Sequence, residues 1–193
     1  MAAIAMNKIS AAGKEIIKLV VAGPVNAGKS TLIRSVSDVP VLCTNELATD
    51  DVAVLKDYTT VAMDHGLFYP DGNREIHLYG TPGQRRFDFM WDILAEGAAG
   101  IVLLVDGSDP ESVNELGYIR GHFDRQCALP VIVGVSRHDA VAASHTDSIA
   151  ADLGIECGHV MAVDPRSPDD SKLLLLHLCD RISKRETAGA TAA

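Results

Sequence analysis

The chain predicts a doubly wound α/β fold, a mostly parallel six-stranded sheet with one antiparallel edge strand and helices on both faces. Three observations predict it. Aliphatic and β-branched runs recur at 16–22, 101–105, 130–135 and 160–163, the composition of strands buried on both faces of a parallel sheet. Each run is followed by a segment of helical patterning, which is the βαβ rhythm. Between the first two runs, 60–68 and 74–79 flank Pro70-Asp71-Gly72-Asn73 and read as a β-hairpin, the source of the antiparallel strand.

The first strand leads into Gly23-Pro24-Val25-Asn26-Ala27-Gly28-Lys29-Ser30, a complete G-x-x-x-x-G-K-[ST] phosphate loop, and then into helical residues 31–36. In such a loop the backbone N–H groups curl around the α- and β-phosphates. Gly23 and Gly28 supply dihedrals and close approach that a Cβ would obstruct. Lys29 reaches the β/γ oxygens, Ser30 offers its hydroxyl to Mg²⁺, and the helix adds its positive dipole end. Strand, loop and helix together predict a P-loop NTPase that binds a nucleoside di- or triphosphate.

The polar segment 37–59 is long for a compact domain, which marks it as functional or mobile. After the hairpin, Phe87, Met90, Trp91 and Leu94 stand at i, i+3, i+4 and i+7, one apolar stripe on a helix. The stripe reads as core; partial exposure of Trp91 or Phe87 would instead make it an anchor for a partner. Asp109-Pro110-Glu111 and Ser167-Pro168-Asp169-Asp170 are helix starts, a capping side chain before a first-position proline, the second ahead of a helix over 173–182.

Composition bounds the function. With 193 residues, 47% of them hydrophobic and 22% charged, the chain has the usage of one ordinary globular domain, read here as 14–185 between a flexible N-terminus (1–13) and a flexible tail (186–193). A net charge of −9 argues against nucleic acid and against docking on anionic lipid. No apolar stretch reaches membrane-spanning length and the start lacks a signal-peptide pattern, so the expectation is a cytoplasmic protein without a transmembrane segment. Cys43, Cys127, Cys157 and Cys179 are widely spaced and read as reduced thiols; Cys157-Gly158-His159 has no second pair at metal-ligand spacing.

On the phosphate loop, on Thr59-Thr60-Val61-Ala62-Met63-Asp64-His65-Gly66 and on Leu78-Tyr79-Gly80-Thr81-Pro82-Gly83-Gln84-Arg85-Arg86-Phe87, the chain resembles the Ras-like small GTPases over residues 16–182. Within them it is similar to the bacterial branch that includes the gliding-motility GTPase and the GTPases encoded beside roadblock-type partners. The resemblance implies GTP or GDP and Mg²⁺ as cofactors. It implies nucleotide contacts from Gly23, Val25, Asn26, Ala27, Gly28, Lys29, Ser30, Thr31 and Gly83. Metal ligation falls to Ser30 and Thr60, with Thr59 as the alternative threonine of switch I. Gln84 would orient the attacking water, Lys29 and Thr60 would contact the γ-phosphate, and Arg85 or Arg86 would either supply a cationic charge in cis or be solvated residues of switch II.

Gly80 departs from the family, standing where its Mg²⁺-facing aspartate belongs, with Asp64 as an outer-sphere substitute. Val25 departs too, crowding the space of an arginine finger. Base recognition falls to Ser136, Arg137 and Asp139, with Pro165 and Arg166 in the last base loop. Asp139 would accept from guanine N1–H and the 2-amino group, or would cap a helix; Ser136 is expected to be too short to tie the loops together. The implied function is a slow GTP hydrolase that switches between GDP and GTP states. It would signal through 37–66 and 80–96 to a roadblock-type or GTPase-activating partner. The alternatives are a nucleotide-locked interaction module and a P-loop small-molecule kinase.

Overall fold

The structure, a computed structural model, describes residues 8–10, 13–43, 63–137 and 144–191. A short strand β1 (Lys8–Ile9) runs antiparallel to the start of β2 (Glu15–Ala22), and the phosphate loop then leads into α1 (Lys29–Val36). After β3 (Leu42–Cys43) come the hairpin strands β4 (Asp64–Phe68) and β5 (Arg74–Gly80), then α2 (Asp88–Ala95). The rest alternates: β6 (Gly100–Asp106), α3 (Pro110–Gln126), β7 (Val131–Ser136), α4 (Ser144–Asp152), β8 (Val160–Ala162) and α5 (Pro168–Thr191).

The strands lie in the order β3-β4-β5-β2-β6-β7-β8, with β1 on β2. All pairs among β5, β2, β6, β7 and β8 are parallel, and β4 is antiparallel to β5. This is the predicted six-stranded arrangement with two additions. The two-residue strands β1 and β3 are too short to carry an apolar alternation, so no pattern announces them. Because β3 pairs with β4, the hairpin strand expected at the edge lies one place inside it.

The position of β2 decides where the site lies. Connections leave it toward β4 and β5 on one side, while β6 lies on the other, so β2 is the point where the strand order reverses. In open α/β sheets the crevice at the carboxyl ends of the strands at that point is where ligands bind. β6, buried at every position, shows why the aliphatic runs were legible: a parallel strand covered on both faces has no solvent side to encode.

One face of the sheet packs on α1 and α5 through Leu32, Ile33, Leu174 and Leu178; the other packs on α2, α3 and α4 through Trp91, Leu116, Phe123 and Ile149. Both predicted helix starts form. Asp109 accepts from the Glu111 N–H at 3.0 Å, and the Ser167 hydroxyl oxygen accepts from the Asp170 N–H at 3.3 Å. The second helix begins at Pro168, ahead of its first periodic leucines, and continues through Thr191. Among the described residues no helix is long and apolar enough to cross a membrane.

The stripe is core at Trp91 and Leu94, while Phe87 and Met90 are half-buried. Trp91 is fully buried, and its indole Nε1–H donates to the Pro82 carbonyl at 2.9 Å. The ring lies 6.1 Å from Phe123 and meets His122 edge-on at 5.2 Å. It therefore fastens the segment after β5 to α3, and the exposed apolar side chains of α2 are Phe89 and Ile93 instead. Trp91→Phe keeps most of the packing and removes the hydrogen bond, leaving a buried carbonyl unpaired. A loss of about 1–3 kcal/mol in denaturant unfolding is expected, together with faster amide exchange over 82–87. Unchanged exchange there would show that the indole does not fasten the segment.

Candidate nucleotide-binding site

The phosphate loop is shaped by contacts with its own protein before any ligand is considered. Gly23 has φ 147° and Gly28 has φ 100°, both rare for residues with a side chain. A Cβ on Gly23 would overlap the Leu104 carbonyl oxygen of β6, and one on Gly28 would come within 2.9 Å of Pro165 Cγ. The close approach that the glycines permit is thus partly to β6 and to the loop after β8. Asn26, at φ 63°, supplies the remaining left-handed residue, which its short polar side chain tolerates.

Lys29 is buried with its ammonium turned back on the loop, donating to the carbonyls of Gly23 at 2.8 Å and Pro24 at 2.6 Å. Burial pushes it down from 10.5 to about 8, opposed by the fields of Asp64 and Glu115. Gly83, in the segment after β5, lies against this cation. A Cβ there would stand 2.6 Å from the Val25 nitrogen and 2.9 Å from Lys29 Nζ, so only glycine fits.

Ser30 Oγ hydrogen-bonds Asp64 Oδ2, and Asp64 Oδ1 accepts from the Cys43 thiol at 2.9 Å. That bond pushes the Cys43 thiol up, against a counteracting contact from Arg34. Asp64 is the cross-strand partner of Gly80. A Cβ on Gly80 would meet Ile33 Cδ1 at 2.9 Å and the Asp64 Cβ at 3.2 Å. The carboxylate beside Ser30 is therefore supplied by β4, and the glycine opposite it on β5 makes room for it. A serine hydroxyl beside a carboxylate is a hard oxygen donor pair, and it fits Mg²⁺, which asks for few protein ligands. Among the described residues no group of three or more His, Cys, Asp or Glu side chains could hold a metal without such help.

On the other side of the loop a cleft of about 530 Å³ brings together Asn26, Ala27, Gly28, Thr31, Ser136, Arg137, Pro165 and Arg166, all expected site residues. Ser136 corrects an expectation. Its hydroxyl contacts the Ala27 carbonyl at 3.1 Å and the Val105 carbonyl at 3.0 Å, so it does tie the base loop to the phosphate loop. A serine suffices because it is buried at the very end of β7, next to β6. Arg137, at φ 54°, is paired with the buried Asp106, whose other oxygen accepts from the Ser108 N–H at 3.0 Å. Arg166 binds Asp164 through Nε and Nη2, each at 2.9 Å. Sequence reasoning missed Asp106 and Ser108; the signal was Asp106-Gly107-Ser108 directly after the most apolar strand.

Gln84 is exposed at the start of a 3-10 turn, Arg85–Phe87. Arg85 is held toward α3, 3.3 Å from Glu115 and stacked on Tyr118 at 4.3 Å, while Arg86 lies over Phe87. Val25 is half-exposed at the loop tip. Thr59, Thr60 and Asp139 lie outside the described residues.

The buried ammonium has a pH signature. Below about pH 8 Lys29 is protonated in folded and unfolded chains alike, and the folded state bears the desolvation cost. Between that value and 10.5 the folded chain releases the proton first, the unfolded state binds more protons, and the Lys29 contribution to stability rises with pH. Urea unfolding near neutral pH and again near pH ~10 should show the protein gaining about 1–3 kcal/mol relative to Lys29→Met. A constant difference would mean that Lys29 is not desolvated.

Two curated proteins are similar to this chain. An uncharacterized protein of Methanocaldococcus jannaschii is 27% identical over 95 residues, 49% of this chain and 54% of that one, so the chain spans about half the length of this relative. ADP-ribosylation factor-like protein 6 of Caenorhabditis briggsae is 23% identical over 155 residues, 78% of this chain and 75% of that protein. The sequence model of one family matches residues 21–154, from the end of β2 through the phosphate loop to the turn after α4. The loop, the switch-point crevice and this match make the chain a P-loop nucleotide-binding protein, and it belongs to the family described as conserved hypothetical ATP binding protein.

Proposed function

We propose that the chain is a Ras-like molecular switch that binds GTP and GDP with Mg²⁺, hydrolyses GTP slowly and signals to a protein partner through the segments flanking β4 and β5. The observation that carries this reading is Gly83. Its backbone lies directly against Val25 and the Lys29 ammonium, where the terminal phosphate of a nucleotide meets a phosphate loop. A γ-phosphate there must engage or displace this segment, and a ligand shifts a two-state element only through such differential contact. Trp91, holding the Pro82 carbonyl, carries the displacement to α2, which bears the exposed Phe89 and Ile93.

In this reading Lys29 stabilises charge on the β/γ oxygens, Gln84 orients water, and Ser30 and Asp64 hold the metal together with Thr60. Mg²⁺, when bound, neutralises charge on the phosphoryl oxygens. The similarity to an ADP-ribosylation factor-like protein over 78% of the chain supports the Ras-like assignment. Asp139 would select guanine. The partner would be of roadblock or GTPase-activating type.

Two observations favour other readings. Arg85 is engaged by Glu115 and Tyr118, which suits a nucleotide-locked module without useful hydrolysis unless a partner supplies the arginine. The family description names ATP, which puts adenine against guanine as a direct competition.

A non-hydrolysable GTP analogue should slow amide exchange over 63–66 and 80–90 relative to GDP while α5 stays unchanged; identical profiles at saturating Mg²⁺ would reduce the nucleotide to a structural cofactor. Unlabelled ATP should displace labelled GDP far less well than GTP does, and equal displacement would overturn the guanine assignment. Asp64→Asn should lower the apparent Mg²⁺ affinity of the nucleotide complex by about 10–100-fold, read as the Mg²⁺ concentration that halves the rate of nucleotide release. An unaltered Mg²⁺ requirement would remove Asp64 from the metal site.

A further inference from the structure

At the end of the sheet opposite the phosphate loop, a pocket of about 350 Å³ lies between the C-terminal parts of α3 and α5 and the starts of β7 and β8. Four basic side chains line it, Arg120, His159, Arg181 and Arg185, in a chain whose net charge is −9. Two of them are matched locally: Arg120 binds Asp124 at 3.0 Å, and His159 stands 3.5 Å from Glu156. Among the described residues Arg185 is anchored only by the Ala128 carbonyl, a neutral acceptor.

Arg181 stands apart. Its Nε and Nη1 are buried and have no hydrogen-bond partner among the described residues. Glu156 acts on its charge through space, yet that side chain is 84% exposed and is paired with His159. A buried donor left unpaired is costly, and a guanidinium presents its donors as a rigid fork. Neither Arg181 nor Arg185 forms an ion pair with a carboxylate among the described residues, and both side chains line the one cavity. A carboxylate ligand would match one of these charges. A phosphate dianion matches both and offers three oxygens to the forks. The cavity also falls within the range of small-molecule sites, about 300–1,000 Å³, so there is room for an organic body beside the phosphate.

We propose that Arg181 and Arg185, with His159 beside them, form a second anion site for a small phosphate-bearing ligand, separate from the nucleotide loop. This site does not depend on which nucleotide the loop takes.

The test uses the full chain labelled with ¹⁵N-arginine and follows the Nε–Hε signals of individual arginines during titration with inorganic phosphate, with sodium chloride at matched ionic strength as control. The readout is residue-specific, so phosphate entering the distant nucleotide loop does not imitate it. Arg181→Lys identifies the Arg181 signal by its loss. A saturable shift of Arg181 with phosphate and none with chloride is expected. Arg185→Gln, at a position exposed on α5, should weaken that titration by at least about tenfold. Glycerol 3-phosphate binding more tightly than inorganic phosphate would make the ligand a phosphomonoester; equal binding would make it phosphate itself. No saturable shift, the same response to chloride, or full phosphate affinity in Arg185→Gln would overturn the site.

Discussion

A lysine ammonium buried in a loop that offers it only carbonyl oxygens is the constraint around which the nucleotide end of this molecule is arranged. To face the cation, the Gly23 and Pro24 carbonyls must turn inward, which requires the unusual dihedral of Gly23 and brings its backbone against Leu104 of β6. The charge draws on the fields of Asp64 and Glu115, and it leaves room for nothing larger than glycine at position 83. A cation so held is costly until an anion meets it. In the proposed switch the same cost is the source of affinity for phosphate oxygens.

The second organising feature is a carboxylate that stands across a strand ladder from a glycine. Position 80 and position 64 face each other on β5 and β4, and a side chain at 80 would crowd Ile33 and Asp64, which reaches Ser30. With glycine at 80, the aspartate at 64 reaches the Ser30 hydroxyl. It can do so because residues opposite one another on antiparallel strands have Cβ atoms only about 5 Å apart. The arrangement has a consequence for coupling. The carboxylate belongs to β4 and Cys43 of β3 donates to it, so both of these paired strands converge on the serine of the phosphate loop.

Fold and site were legible to different degrees, and the differences have physical causes. The phosphate loop and the parallel strands were plain because a ligand-wrapping backbone demands glycines at fixed spacing and a strand covered on both faces carries an uninterrupted apolar run. β1 and β3 were invisible because two residues carry no periodicity. The early start of α5 was marked by Ser167 and Pro168, yet its first turn is polar and shows no apolar spacing. Ser136 was misread because side-chain length was judged without its position: at the buried end of β7, a hydroxyl spans the gap to Ala27. Asp106, paired with Arg137, went unrecognised because its partner is a residue 31 positions away in sequence that only the β6–β7 pairing brings alongside. Trp91 belonged to a stripe with two open readings, and burial chose between them.

Trp91 is also the chain's single tryptophan. Its indole is hydrogen-bonded to the residue before Gly83, the glycine that touches the phosphate loop, and it lies in an aromatic nest with Phe123 and His122. The molecule thus carries one indole fluorophore, wired by one hydrogen bond to the segment that touches the phosphate loop. Any rearrangement of that segment alters the polarity and quenching around this ring, so the intrinsic emission of the unlabelled protein is a direct optical record of what happens at its phosphate loop.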